Sequence, residues 1–202
     1  MLQLHWSPKS PFVRKVMVCI HELGMDIEVE KIRSVAAMLK PNAALMRDNP
    51  LSKIPTLLLD DGSTLLDSVV ICEYLNDRAK GHLFPASGPA KWQALRWHAL
   101  GNGLLDALIL WRNEREREVP IQALMEAFDL KTKAVLSQLD AEVNVIAAAP
   151  VSIGTVTIGC ALGYLDYRFE DLGWRDHAPA LAAWFAVWRQ RPSFVLTEPA
   201  EG

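Results

Sequence analysis

NPLSKIPTLLLDDGSTLLDSVVICEYL, residues 49–75, decides the fold of this 202-residue chain. Its centre, IPTLLLDDGSTLL, reads as two apolar strands around an Asp-Gly turn, a dipeptide that accepts the backbone of a tight hairpin. From Asp67 to Arg78 the pattern changes to a helix, with Val70, Ile71, Tyr74 and Leu75 recurring on one face. A hairpin that runs into a helix needs further elements to bury its apolar side, and the residues ahead of it supply them. LQLHW (Leu2–Trp6) alternates and stops at Ser7-Pro8, which predicts a short strand and a loop. Beyond the loop, Val13, Val16, Met17, Ile20 and Leu23 recur at helical spacing, with Ser10 as N-cap, Pro11 at the first helical position and Gly24 as the stop. DIEVE (Asp26–Glu30) alternates like a second strand, and a partly helical stretch follows it. The order β-α-β-(α)-β-β-α describes a small α/β domain over residues 1–80.

GHLFPASGP (Gly81–Pro89) concentrates glycine and proline and predicts a linker at 81–88. Residues 89–202 read as a second, all-helical domain. Leu100, Leu104, Ala107 and Trp111 mark one long helix, Leu124, Phe128, Val135 and Leu139 another, and Leu181, Trp184, Phe185 and Trp188 a late one. VTIGCALGYL (Val156–Leu165) is apolar on nearly every face, so its helix belongs in the centre of that domain. RNEREREVP alternates in charge and reads as a solvated helix end. No internal repeat or low-complexity tract interrupts the pattern.

Composition excludes several function classes. A hydrophobic fraction of 50% is ample for a core without staples, and a net charge of -3 offers no electrostatic footprint for nucleic acid or anionic lipid. No apolar run approaches a membrane span and the N-terminus carries no signal-peptide pattern, so a cytoplasmic location is expected. Cys19, Cys72 and Cys160 lie far apart among apolar residues, as buried thiols of a reducing compartment do. The five histidines show no metal-ligand spacing, and no metal is expected.

An α/β domain of this order followed by helices resembles the cytosolic glutathione transferases over essentially the whole chain. Four stretches carry the resemblance. SPFVRKV is similar to the serine-containing helix start of the theta, zeta and tau groups. Residues 49–75 are similar to the family's N-P-x-x-K-[VI]-P-x-L, followed by an acidic-Ser pair and I-x-x-Y-L. GCALGYLDYR resembles the central helix of the second domain, and RPSFVLTEP the C-terminal signature of several bacterial members. The resemblance implies a thioredoxin-like N-terminal domain, an all-helical C-terminal domain, glutathione as co-substrate and a homodimer.

It also implies roles for particular residues. Ser10 is the implied activator, its hydroxyl donating to the glutathione sulfur beside the positive end of a helix. A free thiol titrates near pH ~8.5, and lowering that by ~2 units requires ~2.7 kcal/mol of preferential thiolate stabilisation. One hydrogen bond to a charged group contributes roughly 1.5–3 kcal/mol and a helix N-terminus roughly 0.3–1, so the two together suffice. Ser10-Pro11-Phe12-Val13 stands where glutaredoxins carry C-P-[FY]-C, which argues against disulfide exchange through a protein thiol. Phe12 is implied as a neighbour of the bound peptide, and Ser7 is the runner-up hydroxyl. Pro55 is implied to be cis, with the Ile54 backbone pairing antiparallel to the cysteinyl unit. Asp67 and Ser68 are implied to hold the γ-glutamyl end, and Lys40 and Lys53 to meet the glycyl carboxylate. The electrophile is implied to lie near Pro8, Lys9, Leu104, Leu108 and Trp111. Where the family's central helix opens with a Ser/Thr-x-x-Asp box, SIGT puts Thr155 in the acid's place, so a weaker or absent reciprocal cap is expected.

These residues imply a glutathione transferase that attacks a hydrophobic electrophile. A glutathione-dependent isomerase, dehalogenase or peroxidase would use the same thiolate. A non-catalytic interaction protein on the same scaffold is the alternative from another class.

Overall fold

The computed structural model describes residues 1–201 and divides them into two compact units. The first comprises Met1–Phe84 with the segment from Pro192 onward, and the second Pro85–Arg191. The first unit holds a four-stranded sheet in the order β2-β1-β3-β4. Strand β1 (Leu2–Trp6) lies parallel to β2 (Val29–Arg33) and antiparallel to β3 (Thr56–Leu58), which pairs antiparallel with β4 (Thr64–Leu65). With helices α1 (Pro11–Glu22) and α2 (Ser68–Arg78), this is the thioredoxin-like arrangement the resemblance implies.

Helix α1 forms where its signals stand. Ser10 caps it, Pro11 opens it, and Gly24 follows it at φ 67°, a left-handed turn that glycine adopts without a Cβ penalty. Val13, Val16 and Ile20 are buried, as the periodicity predicts. The second strand begins later than DIEVE suggests. Asp26–Glu28 form a 3-10 turn in which Asp26 pairs with His21, and sheet pairing starts only where Val29 meets Leu2. The partly helical stretch after it shrinks to a 3-10 turn at Leu45–Arg47. Helix α2 buries Ile71, Cys72 and Leu75, while Val70 is 44% exposed, so its inner face is rotated from the expected one.

Helix α3 (Gly88–Arg115) and helix α6 (Ile153–Arg168) form the centre of the second unit, where α6 is buried along almost its whole length. They approach closely because two glycines face the contact. A Cβ on Gly154 would stand 2.6 Å from the Ala94 carbonyl oxygen, and one on Gly101 would stand 2.8 Å from Thr157 Cγ2. Helices α4 (Gln122–Ala141), α5 (Val143–Ala148), α7 (Trp174–His177) and α8 (Pro179–Trp188) complete the unit. The short helix α9 (Pro192–Val195) packs on α1 of the first unit. There Arg14 Nη2 donates to the Phe194 carbonyl at 3.2 Å, and the Ser193 hydroxyl donates to Glu22 Oε1. The helical domain expected over 89–202 thus differs from the second unit at its C-terminal end.

Two local expectations are corrected. The cap of α6 is complete, because the Ser152 N–H donates to Thr155 Oγ1 at 2.9 Å while Ser152 Oγ accepts from the Thr155 N–H. A threonine hydroxyl therefore does the work of the expected carboxylate, without placing a charge at a site that is 0% exposed. Glu114, in the stretch read as a solvated helix end, is buried. Its carboxylate accepts the Ile121 N–H at 2.6 Å and pairs with Arg117, which fixes the turn leading into α4. Among the described residues no helix is long and apolar enough to cross a membrane, and no cluster of His, Cys, Asp and Glu is arranged to hold a metal ion.

Candidate active site

Sheet register gathers the sequence-predicted residues at one end of the first unit. His5 stands opposite Thr56, so the loop after β1 that holds Ser7–Ser10 lies at the same end as the Ile54–Pro55 turn before β3. Leu57 stands opposite Leu65, which brings the segment after β4, Leu66–Asp67, and the start of α2 to that end as well. Parallel pairing of Trp6 with Arg33 adds the loop that starts at Ser34 and carries Lys40.

Ser10 is the N-cap of α1, with φ -86° and ψ 120°. Its Oγ accepts the Val13 N–H at 3.3 Å. Only a lone pair is used in that bond, so the hydroxyl hydrogen remains available to donate to a sulfur at the positive end of the helix. Capping and thiolate stabilisation are compatible roles for this one group. Ser7 Oγ accepts the Lys9 N–H at 3.4 Å, within the loop rather than at the helix terminus. Phe12 is half-buried in the first turn, and the Lys15 ammonium stands 5.6 Å from its ring centroid.

The Ile54–Pro55 peptide bond is cis, as the resemblance implies, and so is Leu66–Asp67. The β3 ladder starts at Thr56. Among the described residues no hydrogen bond engages the Ile54 N–H or C=O, which leaves this backbone open to an added strand-like peptide. The turn is fixed from beneath by a side chain the sequence reading did not single out. Asn49, 1% exposed, donates through Nδ2 to the Lys53 carbonyl at 3.0 Å and to Thr56 Oγ1 at 2.8 Å, and accepts the Leu51 N–H at 3.0 Å. Thr56 Oγ1 in turn donates to the Lys53 carbonyl at 2.9 Å.

Asp67 is the N-cap of α2 and accepts the Val69 N–H at 2.8 Å through Oδ1. Its second oxygen makes no hydrogen bond among the described residues. Ser68, at the first helical position, is buried, and its N–H has no partner within the helix. A carboxylate beside a helix-start N–H that has no partner within the helix suits a zwitterion, with an ammonium at Asp67 and a carboxylate at the helix end. Lys40 and Lys53 are both exposed, and among the described residues neither ammonium has an ion-pair partner.

His5 is a second residue missed from the sequence. It is 5% exposed, its Nε2 stands 3.0 Å from Asp48 Oδ2 and its Nδ1 2.7 Å from Ser34 Oγ. Since a carboxylate only accepts, Nε2 carries the proton of the Asp48 bond. Its only sequence signal is a polar residue on the inward register of an apolar strand.

The second-domain residues implied for the electrophile are packed. Leu104 and Leu108 are buried, and the Trp111 ring lies 5.2 Å from Phe169 and 6.4 Å from Phe128 within its own unit. Lys9 pairs with Glu201. All three cysteines are buried, and none of them forms a disulfide among the described residues.

A sequence profile described as glutathione S-transferase, N-terminal domain, matches residues 9–78. The crystal structure of a glutathione transferase family member from Pseudomonas fluorescens Pf-5, with bound glutathione, is 41% identical, covers 100% of each chain and superposes with a TM-score of 0.96. A glutathione S-transferase from Methylobacillus flagellatus KT, also with glutathione bound, is 33% identical over 99% of this chain and 100% of its own, with a TM-score of 0.89. The uncharacterized GST-like protein YibF of Escherichia coli K12 is 28% identical over 98% of each chain.

Proposed function

Because the chain belongs to the glutathione transferase family, we propose that it binds glutathione on the first unit and activates it as a thiolate with Ser10. The observation that carries this reading is the Ser10 cap, in which Oγ accepts the Val13 N–H and keeps its own hydrogen for the sulfur. The groups around it match the ligand's parts. The open Ile54 backbone suits the cysteinyl unit, Asp67 and Ser68 suit the γ-glutamyl zwitterion, and Lys40 and Lys53 suit the glycyl carboxylate. Phe12 and Pro55 flank these contacts. No metal or general base is required, because the hydroxyl and the helix terminus together supply the ~2.7 kcal/mol needed for a ~2-unit shift.

In the reaction the thiol proton passes to solvent and the sulfur lone pair forms a bond to an electrophilic carbon. The electrons displaced from that carbon leave with a departing group, or settle on an adjacent acceptor that takes a proton. The second substrate is a small hydrophobic electrophile, and the working form is a cytoplasmic homodimer.

Titrating bound glutathione by its thiolate ultraviolet absorbance tests the proposal without any guess about the electrophile. Wild type should show a thiol pKa well below that of free glutathione, and Ser10→Ala should restore it. Binding with an ordinary thiol pKa in both proteins would reduce Ser10 to a helix cap. No binding at millimolar glutathione would favour an interaction protein on this scaffold.

A further inference from the structure

The His5 imidazole ties together the two loops that carry the cationic candidates. It stands on β1, the strand that pairs with both β2 and β3. One ring nitrogen meets Ser34, the first residue of the loop holding Lys40, and the other meets Asp48, next in the chain to the Asn49 that holds the Lys53–Ile54 turn. Ser34 is buried and its N–H donates to the Trp6 carbonyl at 2.9 Å, so the imidazole and the end of the sheet grip the same residue. Beyond Ser34, Val35, Met38 and Leu39 are exposed, Asn42 Nδ2 donates to the Val35 carbonyl at 3.0 Å, and Ala37 and Lys40 form an isolated bridge.

We propose that His5 is a positioning residue for the glycyl end of glutathione, holding the Lys40 loop and the Lys53 turn at the spacing that one terminal carboxylate bridges. The inference rests on the glutathione-binding reading above and adds a division of labour to it. Ser10, Asp67 and Ser68 serve the γ-glutamylcysteine part, whereas the loop and the turn that His5 ties together carry the two ammonium groups for the glycine that follows. A residue that merely stabilises the sheet would affect both parts of the ligand alike.

The test compares the binding of glutathione and γ-glutamylcysteine, which lacks the glycine, by calorimetry on the full chain. Wild type should prefer glutathione. His5→Ala should reduce that preference about tenfold, the effect of one contact to a charged group, and weaken γ-glutamylcysteine binding far less than glutathione binding. His5→Gln, which offers one donor to Asp48 and one acceptor to Ser34, should recover most of it. Should His5→Ala fold poorly, Ser34→Ala removes one arm while sparing the strand, and its loss should not add to that of Lys40→Ala. Equal weakening of both ligands, or no change in either, overturns the proposal. Equal affinity of wild type for the two ligands overturns it as well, yet leaves thiol activation by Ser10 standing. Wild type that binds neither ligand sinks both readings together.

Discussion

Ser10 Oγ accepts the Val13 N–H at 3.3 Å, so one hydroxyl closes the start of α1 and still holds a hydrogen to give. Ser10→Ala therefore has two separable costs. Loss of the cap should lower stability by about 1 kcal/mol, read from the urea midpoint. Loss of the donor should lower kcat/KM for a reactive model electrophile by roughly 10–100-fold, the equivalent of one hydrogen bond to a charged sulfur. A variant that loses stability and keeps full activity would assign the thiolate to another group.

Asn49 sets the turn that presents Ile54. Asn49→Ala removes donors to the Lys53 carbonyl and the Thr56 hydroxyl and strands the Leu51 N–H. The expected cost is about 2 kcal/mol, with glutathione affinity falling while the pKa of the thiol that does bind stays lowered. That split distinguishes a positioner of the peptide from an activator of the sulfur.

Thr155 tests the cap of the central helix. Thr155→Val keeps the shape and removes the oxygen that accepts the Ser152 N–H. Chemical denaturation should show a loss of about 1–2 kcal/mol, with little change in glutathione binding. An unchanged midpoint would mean that the cap contributes nothing.

Gly154 faces α3 at a distance where no side chain fits, with a new Cβ 2.6 Å from the Ala94 carbonyl and 2.9 Å from Trp97 Cβ. Alanine is the better helix former by ~1 kcal/mol, yet Gly154→Ala should destabilise by about 1–3 kcal/mol because the backbone must shift. Thermal melting decides the sign.

Glu142 accepts from both Arg96 terminal nitrogens, from Trp97 Nε1 at 2.8 Å and from Gln138 at 3.2 Å. The Arg96 bond leads the causes that lower its pKa to about 2 from an ordinary 4.5. Since the folded value is the lower one, the stabilisation is fully present above the unfolded value and fades as pH falls from about 4.5 toward about 2. Glu142→Gln should thus be less stable than wild type at pH 7, by on the order of 1–2 kcal/mol once solvent screening around Arg96 is allowed for. The gap should narrow in urea titrations run at pH 4 and below, and a gap independent of pH would assign the effect to packing.

Local patterns carried much of this fold. Ser10, Pro11 and Gly24 bracket α1 because caps and stops act through neighbouring backbone, which a sequence displays directly. The hairpin around Gly62 (φ 84°) is legible for the same reason. Strand β2 was misplaced because Asp26 alternates correctly yet pairs with His21 instead of a strand. His5 and Asn49 were missed because their partners, Ser34, Asp48 and Thr56, become neighbours only after the sheet forms. Glu114 looked solvated because its partner, the Ile121 N–H, is a backbone group with no mark in the sequence.

The clasp of α9 on α1, through Phe194 on Arg14 and Ser193 on Glu22, also orders events during synthesis. The first unit leaves the ribosome early, but the residues that close over α1 emerge only after the whole helical unit has been made. Domains generally fold as they appear, so residues 1–84 should lack this clasp until 192–195 have emerged. A fragment ending at the linker would remain in that unfinished condition, and appending residues 192–201 to it should restore the missing clasp.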